Sequence, residues 1–361
     1  MSNVDEERIR LDAAVKSVDG FFTTFFVSPY SRYIARWAAR RRLTPNQVTI
    51  ASLFVGILSA AAFATGERWG LIAGAVLLQV AFTLDCVDGQ LARYTRNFSK
   101  FGGWLDSTFD RAKEWIVYAG LAIGGTDVWV LAGAALTLQT FRHMVDFCWQ
   151  ARRGEAAAEL GGWDANPGVL VWIKRIIAFP IGERFATISI TAAIWSAHTT
   201  FIVLLAWGGL AAVYGTTGRI LRSLRLHDSA PYDVSRYRDD GPLARRALAN
   251  VSGWMVPPLI RALEYGGLIT FGALAGDSAK PAAFALIAAL ALRHYDIVYG
   301  LRFRGAPASE RLGLALGGWD GRLVLGCVLL ILNLLPTGFY ALAAIIVAAF
   351  ATTTTTKDVE A

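Results

Sequence analysis

Ten stretches of predominantly apolar residues, most of them close to twenty long, divide this chain and limit what it can fold into. A bilayer's hydrocarbon core takes about 20 apolar residues as a helix. Lipid tolerates no unpaired backbone group, so such stretches fold as spanning helices. They lie at 48–66, 69–86, 107–125, 127–149, 185–199, 200–218, 256–275, 281–300, 322–335 and 337–353. The last two meet at Leu335-Pro336-Thr337-Gly338, a turn signal. Only 17% of the 361 residues are charged, against about 25% in soluble domains, too few to cover a water-facing surface. The expectation is an all-α, polytopic membrane helix bundle.

The basic residues set its orientation. The short loops at 66–69, 124–127, 196–199, 276–280 and 335–338 hold only Arg68 and Lys280. The opposite set carries the arginines from Arg40–Arg42 through Arg93, Arg152 and Arg219 to Arg304. Lysine and arginine mark cytoplasmic loops, so both termini are expected in the cytoplasm, with the chain integral to the cytoplasmic membrane. The net charge of +7 therefore speaks to topology, and no nucleic acid partner is expected. Two segments, 28–42 and 169–179, mix aromatics with cations at helical spacing and read as interfacial helices. The first twenty residues are polar and carry no apolar signal core. Cys86, Cys148 and Cys327 are odd in number and far apart, which excludes a disulfide framework or a cysteine-rich zinc site. The organisation expected is an N-terminal cytoplasmic segment with an interfacial helix (1–47), a six-span core (48–224), a charged cytoplasmic linker (225–254) and a four-span extension (255–361).

Part of the chain repeats. RAKEW at 111–115 returns as RALEY at 261–265, FRHMVD at 141–146 as LRHYD at 292–296, and LGGWD at 160–164 unchanged at 316–320. The three offsets, 150, 151 and 156, keep the same order, so spans seven to ten read as a degenerate copy of spans three to six.

The densest chemistry lies between Asp85 and Asp110. Asp85 and Asp88 are three residues apart on one expected helix, Asp106 and Asp110 four apart on the next, so each pair shares a helix face. The loop between the helices is short enough for those faces to meet. Helix-end decoration accounts for one or two juxtamembrane aspartates, but not for four on facing sides. Ionised groups at a membrane boundary need a counter-charge, and hard carboxylate oxygens favour Mg²⁺, Mn²⁺ or Ca²⁺ over zinc. Two such ions about 3.5–4 Å apart would bind a diphosphate and stabilise phosphoryl transfer. Gly89, Ala92 and Gly102 leave room for a flat base or a phosphate to approach the backbone. Arg93 can supply a fixed charge to a phosphate.

The spacing D-x2-D-G-x2-A-R-x8-G-x3-D-x3-D matches the signature of the CDP-alcohol phosphotransferases without a departure, and LTPNQVT (43–49) resembles the entry to their first span. The resemblance covers roughly 20–225. It implies a six-span catalytic core that displaces CMP from a CDP-linked donor by an alcohol hydroxyl, forming a phosphodiester with two Mg²⁺ ions, Mn²⁺ being an alternative. It implies that Asp85, Asp88 and Asp106 are metal ligands and that Asp110 is a ligand or near-ligand acting as general base. It also implies that Asp85, Gly89, Ala92, Arg93 and Gly102 bind the cytidine diphosphate. Arg152 and Arg184 look like the basic positions that hold an acceptor phosphate in the branch using inositol phosphates, and positive-inside decoration accounts for each equally well. More loosely, 21–41 and 102–111 resemble the membrane half of di-myo-inositol-phosphate-phosphate synthases. The donor implied is CDP-diacylglycerol or CDP-inositol, the acceptor a polyol or polyol phosphate, the surroundings membrane lipid and the oligomer a homodimer. The C-terminal third fits the six-span family poorly and resembles the extension of some actinobacterial members.

Aligning the repeat at Arg111 and Arg261 sets Val256 opposite Asp106 and Ile260 opposite Asp110, so the second copy is expected to be non-catalytic. Arg142, His143 and Asp146, and likewise Arg293, His294 and Asp296, lie within expected spans. Such residues are either functional or a paired cluster that holds helices together. A transporter or a membrane scaffold would also use many spans and an internal repeat. Neither requires the four-aspartate spacing.

Overall fold

The computed structural model describes residues 3–16, 19–153, 168–225, 237–304 and 310–357. Every regular element among them is helical. In chain order these are α1 (Asn3–Ala14), α2 (Ser28–Arg40), α3 (Pro45–Phe63), α4 (Arg68–Thr95), α5 (Lys100–Gly124), α6 (Trp129–Arg153), α7 (Val169–Ile177) and α8 (Ile181–Ile194). There follow α9 (Ala197–Arg225), α10 (Pro242–Ala247), α11 (Val256–Ala275), α12 (Ala279–Tyr299), α13 (Glu310–Ala315), α14 (Gly318–Ile331) and α15 (Leu335–Lys357). The chain is a multi-pass membrane protein.

Each of the ten stretches falls on a helix, but among the described residues six helices are long and apolar enough to cross a bilayer. They are α3, α4, α9, a segment running through α12 to Phe303, Leu312–Ile331 and α15 up to Thr352. A seventh is possible if α7 and α8, bent by 66° at their junction, count as one span. At that bend Phe179 has a φ of +51° and Pro180 follows, so the helix cannot run through. The helices α5, α6 and α11 fall short because they carry charges such as Asp110, Lys113 and Glu114, Arg142 and Asp146, and Arg261 and Glu264.

Two compact units emerge: Met1–Thr126 with Gly161–Tyr214, and Asp127–Leu160 with Gly215–Ala361. Residues 127–160, expected within the 48–224 core, thus group with the C-terminal helices. In the first unit α4 is the axis, packed by α1, α2, α3 and α8. Ser31 of α2 donates to Gln90 (3.0 Å), and Gln79 reaches Ser189 and the Phe185 carbonyl of α8 (2.8 and 3.0 Å). A small apolar core of Ala35, Ala38, Val48, Val87 and Leu91 closes the α2–α3–α4 junction. On α5, a Cβ at Gly120 would come 2.3 Å from the Ala60 carbonyl of α3, so only glycine permits this approach. The outer face of α2 exposes Tyr30, Tyr33 and Trp37 while Ser31, Ala35 and Ala38 are buried.

In the second unit α12 is the inner helix, 78% buried along its span and packed by α6, α11 and α15. The stretch expected as a linker is bound into this unit where it is described. Asp320 accepts the N–H groups of Gly241, Leu243 and Ala244 (2.6–3.0 Å) and caps α10. Asp239 meets Arg293 at 2.8 Å and Arg322 at 3.0 Å. Burial raises its pKa, but a hydrogen bond from His294 and the Arg322 and Arg293 charges prevail and hold it well below the usual carboxylate range. The clusters flagged on α6 and α12 are engaged in such networks. Asp146 pairs with Arg219, Arg142 donates to Gln139 at 2.8 Å, and His143 contacts Tyr295.

One buried constellation occurs twice. In the first unit Glu114 accepts a fork from Arg184, Nε at 2.8 Å and Nη2 at 3.0 Å, with Arg111 at 3.7 Å. In the second, Glu264 meets Arg261 at 2.5 Å and Arg322 at 2.6 Å. Each is an arginine, a glutamate three residues later and a second arginine from the start of a later helix, which supports the internal repeat. The LGGWD copy at 160–164 lies outside the described residues.

Candidate active site

All four aspartates belong to the first unit, and local sequence explains how they meet. Thr44 caps α3 in a reciprocal pair with Gln47, and Pro45 takes the first helical turn. This fixes Asn46 and Thr49 at the mouth of the site. At about 1.5 Å per residue, Asp85 and Asp88 lie roughly 26–30 Å from the start of α4, near the far edge of a hydrocarbon core of about 30 Å. Arg96, with φ +57°, ends α4 in a left-handed cap. Ser99 then caps α5 by accepting the Gly102 N–H at 2.9 Å. With only four residues between the helices, Asp106 is returned to face α4.

Carboxylate oxygens of Asp85, Asp88 and Asp106 all lie within 4.8 Å of one another. Asp88 is 3% exposed and accepts from the Thr49 hydroxyl at 2.6 Å. Beside them opens a cleft of about 190 Å³, lined among others by Asn46, Gly89, Ala92, Arg93, Gly102 and Asp106. A Cβ at Gly102 would come 2.8 Å from both Asn46 Oδ1 and Ser99 Oγ, so the glycine keeps that wall open. Arg93 donates from Nε to the Ala14 carbonyl at 2.5 Å, which fixes its guanidinium at the rim. Outside the spans, burial raises the Asp19 pKa, opposed by the Gly20 N–H and by Lys16, Arg93 and Arg175.

Asp110 is hydrogen-bonded to Asp85 of the trio, and both touch a residue the motif does not contain. Lys113 Nζ lies 2.5 Å from Asp85 Oδ1 and 3.4 Å from Asp110 Oδ1, and the side chain is 1% exposed. Its signal in the sequence is its spacing, since three residues beyond Asp110 and seven beyond Asp106 is the same helix face. The other residues that motif reading passed over are Thr49, Asn46 and Ser99. Their signal was the helix-start chemistry of 43–49 and the Ser-x-x-Gly turn.

The two expected acceptor arginines are not brought to this cleft's lining. Arg184 is 3% exposed and forked onto Glu114. Arg152 belongs to the other unit. Among the described residues the converging group consists of three carboxylates without histidine or cysteine, which suits a hard divalent cation that accepts few protein ligands and completes its shell with water and phosphate oxygens. The donor set fits such an ion at Asp85, Asp88 and Asp106.

Comparison with known proteins bears on this site directly. Residues 42–214 match a family model described as CDP-alcohol phosphatidyltransferase. Residues 240–360 match a second model, described as a family of unknown function. The archaetidylinositol phosphate synthase of Pyrococcus horikoshii is 41% identical over 96 residues, 27% of this chain and 50% of that protein. The phosphatidylinositol phosphate synthase of Mycolicibacterium smegmatis is 29% identical over 178 residues, 48% of this chain and 76% of that protein. A bifunctional IPC transferase and DIPP synthase of Aquifex aeolicus is 34% identical over 111 residues, 30% of this chain and 25% of that protein. The chain thus spans half the length of the first of these relatives.

Proposed function

With residues 42–214 belonging to the CDP-alcohol phosphatidyltransferase family, we propose that the chain transfers a phospho-alcohol or phosphatidyl group from a CDP-linked donor to a hydroxyl of a polyol or polyol phosphate, releasing CMP. The observation that carries this reading is the convergence of Asp85, Asp88 and Asp106 beside a cleft walled by Gly89, Ala92, Arg93 and Gly102.

Each residue has a task. Asp85, Asp88 and Asp106 hold a divalent cation, Mg²⁺ or Mn²⁺, which when bound supplies positive charge to the diphosphate. Thr49 orients Asp88 through its hydroxyl. Gly89, Ala92 and Gly102 leave the cleft wall low enough for a nucleotide, and Arg93 offers a fixed guanidinium to a phosphate. Asp110 takes the proton from the acceptor hydroxyl as its oxygen bonds to the phosphorus distal to cytidine. The bond from that phosphorus to the bridging oxygen breaks, and the bridging oxygen leaves with CMP. Arg184 acts through Glu114 as a positioning residue for α5. The lysine and arginine asymmetry supports a site on the cytoplasmic side.

The test is CMP formation by the purified full-length protein with Mg²⁺, offering CDP-diacylglycerol or CDP-inositol as donor and an inositol phosphate as acceptor. The names of the relatives motivate that acceptor. Release with one donor only assigns the donor. Absence of CMP with both, together with an Asp106→Ala variant indistinguishable from wild type, would sink the enzymatic reading. Within the same assay Gly102→Val should raise the donor KM by about tenfold, roughly 1.4 kcal/mol of binding, because its side chain enters the cleft wall. A smaller change in kcat is expected, since the residue lines the cleft without ligating the ion.

A further inference from the structure

The first helix lies outside the aspartate motif, yet it ends against it. Acidic residues of α1 face the basic side of α2. Asp12 meets Arg32 at 2.5 Å, and Glu7 meets Arg40 at 3.2 Å and Arg36 at 3.6 Å. Arg10 donates from Nη2 to the Tyr94 carbonyl at 2.7 Å and lies 4.6 Å over the Tyr94 ring. It thereby satisfies a carbonyl that the last turn of α4 leaves without a helical partner. Leu11 and Ala14 are buried beneath. At the end of the helix the Ala14 carbonyl accepts Arg93 Nε at 2.5 Å. A Cβ at Gly89 would come 3.3 and 3.5 Å from Arg93 Nη1 and Nη2, so the held guanidinium lies across Gly89 on the cleft wall. None of the described residues lining that cleft belongs to α1. The contact that α1 makes with the cleft is therefore Arg93.

We propose that α1 is a strap that positions Arg93 for the donor diphosphate, held in place by its ion pairs with α2. This rests on the reading of the cleft as the nucleotide site. A loose arginine on a helix samples many rotamers and loses them when it grips a phosphate. The Ala14 carbonyl removes that freedom beforehand. With Nε engaged there, the Nη groups across Gly89 are left to donate to a phosphate oxygen. A carbonyl, unlike a carboxylate, fixes the side chain without adding a charge of its own. The strap is fastened from outside, by side chains that water reaches: Asp12 is 55% exposed and Arg40 64%. Salt screens such pairs, so ionic strength adjusts the grip on Arg93 in a way that a buried contact would not allow.

The experiment is a calorimetric titration of the full-length protein with CDP in the presence of Mg²⁺, with donor KM and kcat for CMP formation measured alongside. Glu7→Lys combined with Asp12→Lys sets like charges against α2. It should weaken CDP binding about fivefold, the cost of ordering one long side chain at the moment of binding. The donor KM should rise in step, with kcat unchanged. Adding Arg32→Asp, which re-forms one pair with its signs exchanged, should recover part of the loss. In an Arg93→Ala background the same two reversals should change nothing further. CDP affinity that ignores the reversals, or that falls equally in the Arg93→Ala background, would overturn the inference and leave the nucleotide-site reading standing. So would a loss confined to kcat. A wild type that binds no CDP would overturn both.

Discussion

Asp88→Ala is expected to lower CMP formation by about 1,000-fold or more and to erase the rise in melting temperature that Mg²⁺ gives the wild type. Asp88 supplies one of three converging carboxylates, and its 3% exposure means that water cannot easily replace it as a ligand. Lewis-acid stabilisation of a phosphoryl oxygen is worth several kcal/mol, and each 1.36 kcal/mol is tenfold in rate. Losing about 4 kcal/mol thus gives the stated factor. The thermal effect follows from linkage, since a ligand at 100 times its Kd stabilises the folded state by about 2.7 kcal/mol. The metal-free melt should be unchanged or slightly higher. Removing Asp88 relieves repulsion from Asp85 and Asp106, and the Thr49 hydroxyl keeps its contact with the Pro45 carbonyl at 3.1 Å. Melting curves with and without Mg²⁺, set beside a CMP assay, check both parts. A Mg²⁺ shift that survives in Asp88→Ala would remove this residue from the metal site.

Much of this site could be read in advance because its determinants are local. The spacing of Asp85, Asp88, Asp106 and Asp110 fixes two helix faces, and the loop between them is too short for those faces to part. Lys113 escaped notice because a lysine near a span end is ordinary. Its burial depends on a notch at Gly56, far away in sequence, where a Cβ would come 2.6 Å from Lys113 Cγ. Arg184 is the opposite case, since its position at the start of a span suggested an acceptor-phosphate ligand, and in the fold its guanidinium is forked onto Glu114. That fewer helices than apolar stretches pass as spans by length and composition has the same cause. Apolar windows at 107–125, 127–149 and 256–275 look continuous, yet their charges pair with groups on other helices. For Glu114 and Glu264 the partners lie about 60–70 residues away. Such pairing lets a helix be buried in protein without being apolar enough to face lipid. The repeat was visible at Arg111 and Arg261, but the second arginines of each triad sit in unlike contexts, IGERF and DGRLV, and only the fold brings them into register.

That second triad carries the largest expected loss of stability. Glu264→Ala should destabilise the C-terminal unit by about 3–5 kcal/mol, the cost of leaving a buried charge without its partner. The carboxylate is fully buried, Arg261 is 0% exposed and Arg322 1%, so neither guanidinium can turn to water. Each keeps a secondary partner, Arg322 on Asp239 at 3.0 Å and Arg261 on the Arg238 carbonyl, which keeps the loss within this range. Arg322→Met should cost nearly as much, because it strips Glu264 and Asp239 together. The double variant should cost less than the sum by roughly 0.5–3 kcal/mol, the coupling expected of groups in one network. Denaturant unfolding of the four proteins in one detergent measures the cycle. Strict additivity would mean that the two residues do not act on one another. Because Val256 and Ile260 replace the second pair of aspartates in this copy, the folded fraction of Glu264→Ala should retain the wild-type kcat. A lower kcat per folded molecule would give the C-terminal unit a part in the reaction itself.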